Sequence, residues 1–189
     1  MVSTALLMAL IVIMQLISAV IPPVGGFSIS LVLIPLVIGA AVYGPGTGAL
    51  LGATFGAIVY INCITGMDPG GSMVFAANPV LCFIVVMLKG VLAGLAAGIV
   101  YSLLKRRNKY VAMLVAAIVC PLVNTGIFIA CMLLFFVDIL ASWAQGGEIF
   151  AYILTGLVVA NLLPELLINV VFSPASVRIT NVIEKHNNA

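Results

Sequence analysis

The sequence predicts an all-α membrane protein in which six transmembrane helices form one bundle with both termini in the cytoplasm. Three observations support this fold class. Of the 189 residues, 65% are hydrophobic and only 6% are charged, whereas a soluble domain carries roughly 25% charged residues. The apolar residues form long runs without the alternation of barrel strands. The positive charges are confined to a few connections. Such a chain must be solvated mainly by lipid.

Six apolar segments approach the length that a transmembrane helix requires. A hydrocarbon core about 30 Å thick takes roughly 20 helical residues to cross. The second segment is shorter, which indicates a tilted, broken or partly re-entrant helix. Residues 1–189 are therefore expected to form one transmembrane domain with a polar tail at 173–189. The segments run approximately over Val2–Ile21, Ser28–Tyr43, Thr47–Thr65, Pro79–Leu104, Tyr110–Val137 and Ile149–Phe172.

Residues typical of turns separate these segments. Proline and glycine punctuate the first three breaks, and charged or polar residues mark the last two. The breaks are Pro22-Pro23 with Gly25-Gly26, Gly44-Pro45-Gly46, Gly66 to Pro79, Lys105 to Lys109, and the stretch around Gln145-Gly146-Gly147.

The positions of lysine and arginine predict the orientation, because cytoplasmic loops are enriched in both. The connection between spans four and five holds four positive residues within 105–109, and the tail holds Arg178 and Lys185. Both are expected in the cytoplasm, and six spans then place the N-terminus there as well. The connections on the other side carry Asp68, Asp138 and Glu148 without any lysine or arginine.

Small residues predict close packing between spans three and four. Glycines recur at every fourth position in both segments, and such stripes let helix backbones approach closely in lipid. We interpret them as packing residues. They are Gly44, Gly48, Gly52 and Gly56 in the first stripe, and Gly90, Gly94 and Gly98 in the second.

Two ionisable residues, Lys89 and Glu165, fall inside predicted spans. Charged groups within a membrane are costly and are usually functional. One residue is cationic and the other anionic, so an internal ion pair is one interpretation. Direct contact with a substrate, or a role in gating, is the other.

Asparagines accumulate in spans three to six and at their ends. An amide both donates and accepts hydrogen bonds, so this set suits a neutral or zwitterionic organic ligand. For any single asparagine an interhelical hydrogen bond is the alternative. Asn78 and Asn161 are expected to face one outward-opening cavity, with Asn124 deeper.

The connection Gly66–Pro79 has the composition of a lid over a ligand. It is glycine-rich and holds Met67, Met73 and Phe75, which can cover an apolar surface. An exposed linker is the alternative. Trp143 lies in the connection between spans five and six, where it is either an interfacial anchor or a stacking partner for the ligand.

Several function classes are excluded. The only histidine, His186, lies in the polar tail, so no histidine can serve an intramembrane nucleophile. The four cysteines fall in apolar runs without metal-ligand spacing, and no phosphate-binding loop exists. Without a basic patch the chain is not a nucleic-acid binder. We expect no enzyme activity, no metal and no cofactor.

The order and spacing of several motifs resemble those of the substrate-binding S components of energy-coupling factor (ECF) transporters, which are small bacterial membrane proteins that capture vitamins. The resemblance covers nearly the whole chain. It depends on Ala5-x-x-x-Ala9, Ile38-Gly39-Ala40, Tyr43-Gly44-Pro45-x-x-Gly48-x-x-x-Gly52, Asn78-Pro79, Lys89-Gly90-x-x-x-Gly94-x-x-x-Gly98 and Pro121-x-x-Asn124-Thr125-Gly126-x-Phe128.

The resemblance implies an S-component-like bundle in the bacterial plasma membrane that binds a vitamin near the outer face. It also implies association with a transmembrane coupling subunit and two cytoplasmic ATPases, with Ala5 and Ala9 contacting the coupling subunit. The ligand site would then include Asn78, Asn124 and Asn161. Lys89 weakly favours a carboxylate such as pantothenate.

Two other functions stay open on the sequence alone. One is a solitary small-solute carrier or channel gated by Lys89 and Glu165. The other is a structural subunit of a membrane complex that binds no small molecule.

Overall fold

The computed structural model describes residues 2–20 and 30–187, with the side chains of residues 4–18 and 30–183. Regular structure in these ranges is entirely helical, which confirms the all-α part of the prediction. Residue 1, parts of two predicted spans (Ile21 of the first, and Ser28 and Ile29 of the second), the turn residues between these spans, and residues 188–189 lie outside the described residues. The elements are α1 (Val2–Val20), α2 (Leu33–Tyr43), α3 (Pro45–Thr65), α4 (Pro69–Ala77), α5 (Pro79–Leu104), α6 (Lys109–Phe135), α7 (Val137–Trp143), α8 (Ile149–Tyr152), a π-helix (Ile153–Leu162) and α9 (Leu163–Asn187).

In the described part of the chain, four helical segments are long and apolar enough to cross a membrane. They correspond to predicted spans three to six, and α5 has the predicted bounds. The other two apolar helices, Thr4–Ser18 and α2, are shorter than this length. Large exposed side chains such as Leu103, Leu134 and Val171 leave apolar surface for lipid around the bundle.

The short helix α2 is the most enclosed element of the described chain. Eight of its 11 residues are buried, and it contacts α1, α3, α5, α6 and α9. A helix of 11 residues extends only about 16 Å, so α2 covers part of the bundle's depth. This agrees with the expectation that the second segment is not a regular full-length span.

The predicted close packing of α3 and α5 is confirmed. A Cβ added to Gly52 would overlap the carbonyl oxygen of Gly90, and one added to Gly48 would overlap that of Gly94. The two backbones therefore touch along this stripe, and no larger residue fits there. Gly44 is not part of this contact, because nothing lies within 4 Å of a Cβ added to it. Its φ of 90°, which favours glycine, instead allows the turn between α2 and α3.

Two of the connections between spans contain a short helix. Residues 69–77 form the helix α4, with Pro69 in its first turn, a position where the missing N–H of proline costs nothing. The fifth span ends at Phe135 rather than Val137, and α7 follows directly.

The last helix does not end at residue 173, where the predicted polar tail begins, but continues through Pro174. Proline cannot donate to the carbonyl four residues earlier, which here is that of Val170. The Ser173 hydroxyl donates to that carbonyl instead, at 2.8 Å. With the Val170 carbonyl bonded to this hydroxyl, α9 extends through Pro174 to Asn187.

Candidate functional site

A polar cavity lies at the end of the bundle that carries the connection between α3 and α5. Its walls come from the last turns of α3, the first half of α5, the C-terminal half of α6, and the π-helix with the start of α9. Asp68, Gly71 and Val74 cover one side, so α4 closes the cavity toward this end. Antiparallel helices thus bring together residues that are 150 positions apart in the chain (Gln15 and Glu165).

The cavity is narrow in this conformation. With its open mouth it encloses about 720 Å³ of space free of protein atoms, but the centre of a water molecule can occupy only about 50 Å³ of it. Sites for organic ligands typically measure about 300–1,000 Å³. A ligand of vitamin size therefore requires outward movement of lining side chains or of α4.

Unpartnered oxygen atoms are concentrated in the cavity wall. A buried polar atom without a hydrogen bond is costly and is rare in proteins. Six such side-chain oxygens belong to residues that line this one cavity. They are Gln15 Oε1, Asp68 Oδ1, Asn124 Oδ1, Thr125 Oγ1, Asn161 Oδ1 and Glu165 Oε2.

Glu165 is held in place at one oxygen and unpartnered at the other. Its side chain is 1% exposed, and Oε1 accepts a hydrogen bond from the backbone N–H of Ser30 at 2.9 Å. This bond ties the start of α9 to the segment that leads into α2. Oε2 has no partner, which leaves it available for a ligand.

Lys89 lies against aromatic rings rather than against an acid. Its Nζ atom is 5.0 Å from the centroid of the Phe128 ring and 5.9 Å from that of Phe55. Such cation–π contacts partly offset the cost of enclosing an ammonium group. Among the described residues no ion pair joins Lys89 to Asp68 or Glu165, although all three line the cavity.

Asp68 brings a second carboxyl group to the cavity from the turn before α4. Burial raises the pKa of this carboxyl, while the charge of Lys89 and the nearby N–H groups of Gly71 and Gly70 act in the opposite direction. Burial has the larger effect because the enclosed carboxylate loses its hydration. A cationic partner in the cavity would favour the ionised form.

The π-helix directs Asn161 into the cavity together with Glu165, four residues later. Pro164 cannot donate to the carbonyl of Ala160, and the N–H of Leu163 bonds to Val158, five residues earlier. The helix is wider here, and π-helical segments are frequent at functional sites. Asn161 Oδ1 has no partner.

Three of the six substrate-site residues proposed from sequence line the cavity, namely Lys89, Asn124 and Asn161. Asn78 instead caps α5, where its Oδ1 accepts the N–H of Leu81 at 3.0 Å. Phe75 packs edge-on against Tyr60 at 5.7 Å between centroids. Trp143 Nε1 donates to the Met73 sulfur at 3.1 Å. Asn78, Phe75 and Trp143 therefore do not line the cavity.

The contact between Trp143 and Met73 joins α7 to α4. Trp143 therefore supports α4 from outside the cavity. Of the residues in the predicted lid, Asp68, Gly71 and Val74 line the cavity, whereas Met67 and Met73 are exposed. The segment therefore covers the cavity with one carboxyl group and two small residues.

Sequence reasoning did not select Gln15, Asp68 or Thr125 for the site. Gln15 carries a usable signal, since it is the one amide in the first apolar segment and is buried. Asp68 was assigned only to a connection, and α4 is what places it over the cavity. Asn169, which resembles the site asparagines in sequence, donates to the backbone carbonyl of Glu165 at 2.8 Å.

The exposed surface of α1 carries the two alanines that are predicted to contact the coupling subunit. Ala5 and Ala9 are exposed and are four residues apart, so they lie on one side of the helix. Leu6 and Ile13 are exposed on the same helix.

Among the described side chains, those of residues 4–18 and 30–183, no cluster of three or more histidine, cysteine, aspartate or glutamate residues could hold a metal ion. The thiols of Cys63 and Cys82 lie in the cavity wall, and all four cysteines are buried and unbridged.

A family model described as the substrate-specific component of ECF transporters matches residues 1–176. The match includes every residue that lines the cavity. No curated protein matches the chain significantly.

Proposed function

Because the chain belongs to the family of substrate-specific components of ECF transporters, we propose that its cavity captures a small vitamin or related micronutrient for import. Members of this family bind and transport their substrate and are not enzymes. Energy for delivery would come from a coupling subunit and two cytoplasmic ATPases. The observation that carries the proposal is the group of six unpartnered buried oxygens around one cavity.

The proposed binding residues are those whose side chains meet in the cavity: Lys89, Asn124 and Asn161, with Gln15, Asp68, Thr125 and Glu165 added to them. Asn78, Phe75 and Trp143 are assigned to the support of α4 and α5. In this proposal α4 moves outward to admit the substrate. Its two glycines at 70 and 71 support such a movement.

Lys89 supports the sequence-based preference for a substrate that carries a carboxylate or another acceptor. Its ammonium has aromatic contacts but no ion pair among the described residues. The substrate's anionic group would complete its coordination. The two acids in the same cavity impose a further requirement, which is considered below.

We propose six spans with both termini in the cytoplasm of a bacterium. The cavity end of the bundle then faces outward, and its described connections, 66–78 and 136–148, contain no lysine or arginine. The opposite end carries four basic residues, Lys105, Arg106, Arg107 and Lys109, and the Lys109 ammonium donates to Asn181 Oδ1 at 3.2 Å. Ala5 and Ala9 would contact the coupling subunit, because their small side chains let another helix approach.

The alternative is a solitary carrier gated by an ion pair between Lys89 and Glu165. That function is less well supported, since the two side chains are not paired and Glu165 is bound to Ser30. Uptake into proteoliposomes separates the two functions. We expect accumulation of a vitamin only when the coupling subunit, both ATPases and ATP are present. Equal uptake by the chain alone would contradict the proposal.

A further inference from the structure

We infer that the captured compound carries a cationic nitrogen group, which is seated between Asp68 and Glu165. This inference rests on the function proposed above and specifies the chemical class of its substrate. The groups in question are a primary ammonium, an amidinium or a charged nitrogen heterocycle.

The first argument is the balance of charge in the cavity. Two carboxyl groups and one ammonium line it, and its other lining residues are polar but uncharged, or apolar. The formal charge is therefore negative when all three groups are ionised. Apolar side chains such as Val59, Val85 and Val86 form part of the wall, and they cannot solvate a charge, so an uncompensated charge there is costly. A bound cation removes the imbalance.

The second argument is the shortage of hydrogen-bond donors. Every unpartnered buried side-chain atom in this cavity is an oxygen. The amides of Gln15, Asn124 and Asn161 can rotate to present an N–H₂ group, and a hydroxyl can donate as well as accept. An ionised carboxylate can only accept. The carboxylates of Asp68 and Glu165 therefore require hydrogen-bond donors, and the bound compound must supply them.

The third argument is that Lys89 does not supply those donors. Its ammonium lies 5.0 Å from the Phe128 centroid, and the unpartnered oxygens of both acids remain without a hydrogen bond. Lys89 can accommodate a carboxylate on the same compound. A compound whose only charge is a carboxylate leaves both acids uncompensated and makes the excess of negative charge larger.

Calorimetric titration of the purified full chain in lipid nanodiscs tests this inference. The probes are thiamine and pyridoxamine, which carry cationic nitrogen, and pantothenate and biotin, whose only charge is a carboxylate. We expect at least one cationic probe to bind tenfold or more tightly than both carboxylates. Tighter binding of pantothenate or biotin would overturn the inference and leave the proposed function intact.

Two substitutions examine the acids directly. We expect Asp68→Asn and Glu165→Gln each to weaken binding of the cationic probe tenfold or more. Asp138→Asn and Glu148→Gln, which alter exposed acids, should leave it unchanged. Unchanged affinity in both cavity variants would overturn the inference.

If all four probes fail to bind, mass spectrometry of the compounds retained by the purified protein tests the inference instead. A retained compound with a cationic nitrogen supports the inference, and one without it overturns the inference alone. If no compound is retained, both the inference and the proposed function fail.

Discussion

Lys89 and Glu165 line the same cavity without forming an ion pair. The ammonium rests against Phe128, while one carboxylate oxygen of Glu165 accepts the Ser30 N–H at 2.9 Å and the other has no partner. If the protein neutralised these charges by itself, the Lys89 ammonium and the Glu165 carboxylate would form a direct ion pair. Their separation favours a third component, a bound compound that interacts with each.

Asn161→Ala is expected to weaken binding of the substrate by about 1–3 kcal/mol, the cost of losing a hydrogen bond in a buried site. Asn169→Ala is the matched control, because Asn169 is on the same helical segment but bonds to the Glu165 carbonyl. Equilibrium binding in nanodiscs measures both. Equal losses in the two variants would remove Asn161 from the site.

Ala5→Leu combined with Ala9→Leu is expected to block uptake while leaving binding intact. The added bulk would separate α1 from the coupling subunit, and among the described side chains of α1 (residues 4–18) only Gln15 lines the cavity. Uptake and binding are measured on the same preparation. The control is Ala130→Leu with Ala151→Leu, two exposed alanines on other helices. Parallel loss of uptake and binding in the α1 variant would contradict the assignment of this face.

Gly52→Ala is expected to destabilise the bundle by about 1–3 kcal/mol, the usual cost of overpacking. Its Cβ would meet the backbone of Gly90 on α5, which cannot move aside like a flexible side chain. Gly126→Ala is the control, since nothing lies within 4 Å of its added Cβ. That change should be neutral or should stabilise α6 by up to about 1 kcal/mol. Thermal unfolding in detergent compares the two variants, and similar unfolding temperatures would count against the close contact.

Asp68 is expected to make the stability of the empty protein depend on pH. Burial raises the pKa of this carboxyl above its usual range, so the folded chain binds a proton that the unfolded chain releases. The contribution to stability is fully present below the usual aspartate pKa and is lost as pH rises through the folded pKa.

The measurement is the unfolding temperature of the wild type and of Asp68→Asn between pH 4 and pH 8, without substrate. We expect the wild type to lose stability relative to the variant as pH rises. Asp138→Asn, at an exposed position, should follow the wild type. A difference that stays constant across this range would show that Asp68 does not titrate in this way.

Hydrophobic run length was sufficient to place α3, α5 and α6 to within two residues, because membrane helices must satisfy their backbone hydrogen bonds internally. Run length did not predict where a helix continues past a proline, because a side chain can take the place of the missing backbone N–H. Pro174 has the appearance of a helix end, but the Ser173 hydroxyl occupies the carbonyl that it leaves free. The π-helix before Pro164 has no counterpart in the hydropathy pattern.

The site was only partly predictable for a related reason. Polar residues within apolar segments identified Lys89, Asn124 and Asn161, whereas the contribution of Asp68 depends on how α4 folds over the cavity. Asn78 was selected on the same grounds, yet Asn followed by Pro is typical of a helix start. That capping signature, rather than residue type alone, accounts for its position in the structure.

Native mass spectrometry of the wild-type chain, extracted directly into lipid nanodiscs, tests the binding cavity most directly. We predict one retained small molecule per chain, which is absent or strongly depleted when Asn161→Ala and Glu165→Gln are combined and is retained in Asn169→Ala. A wild type that carries no small molecule, or a double variant as fully occupied as the wild type, would contradict the account.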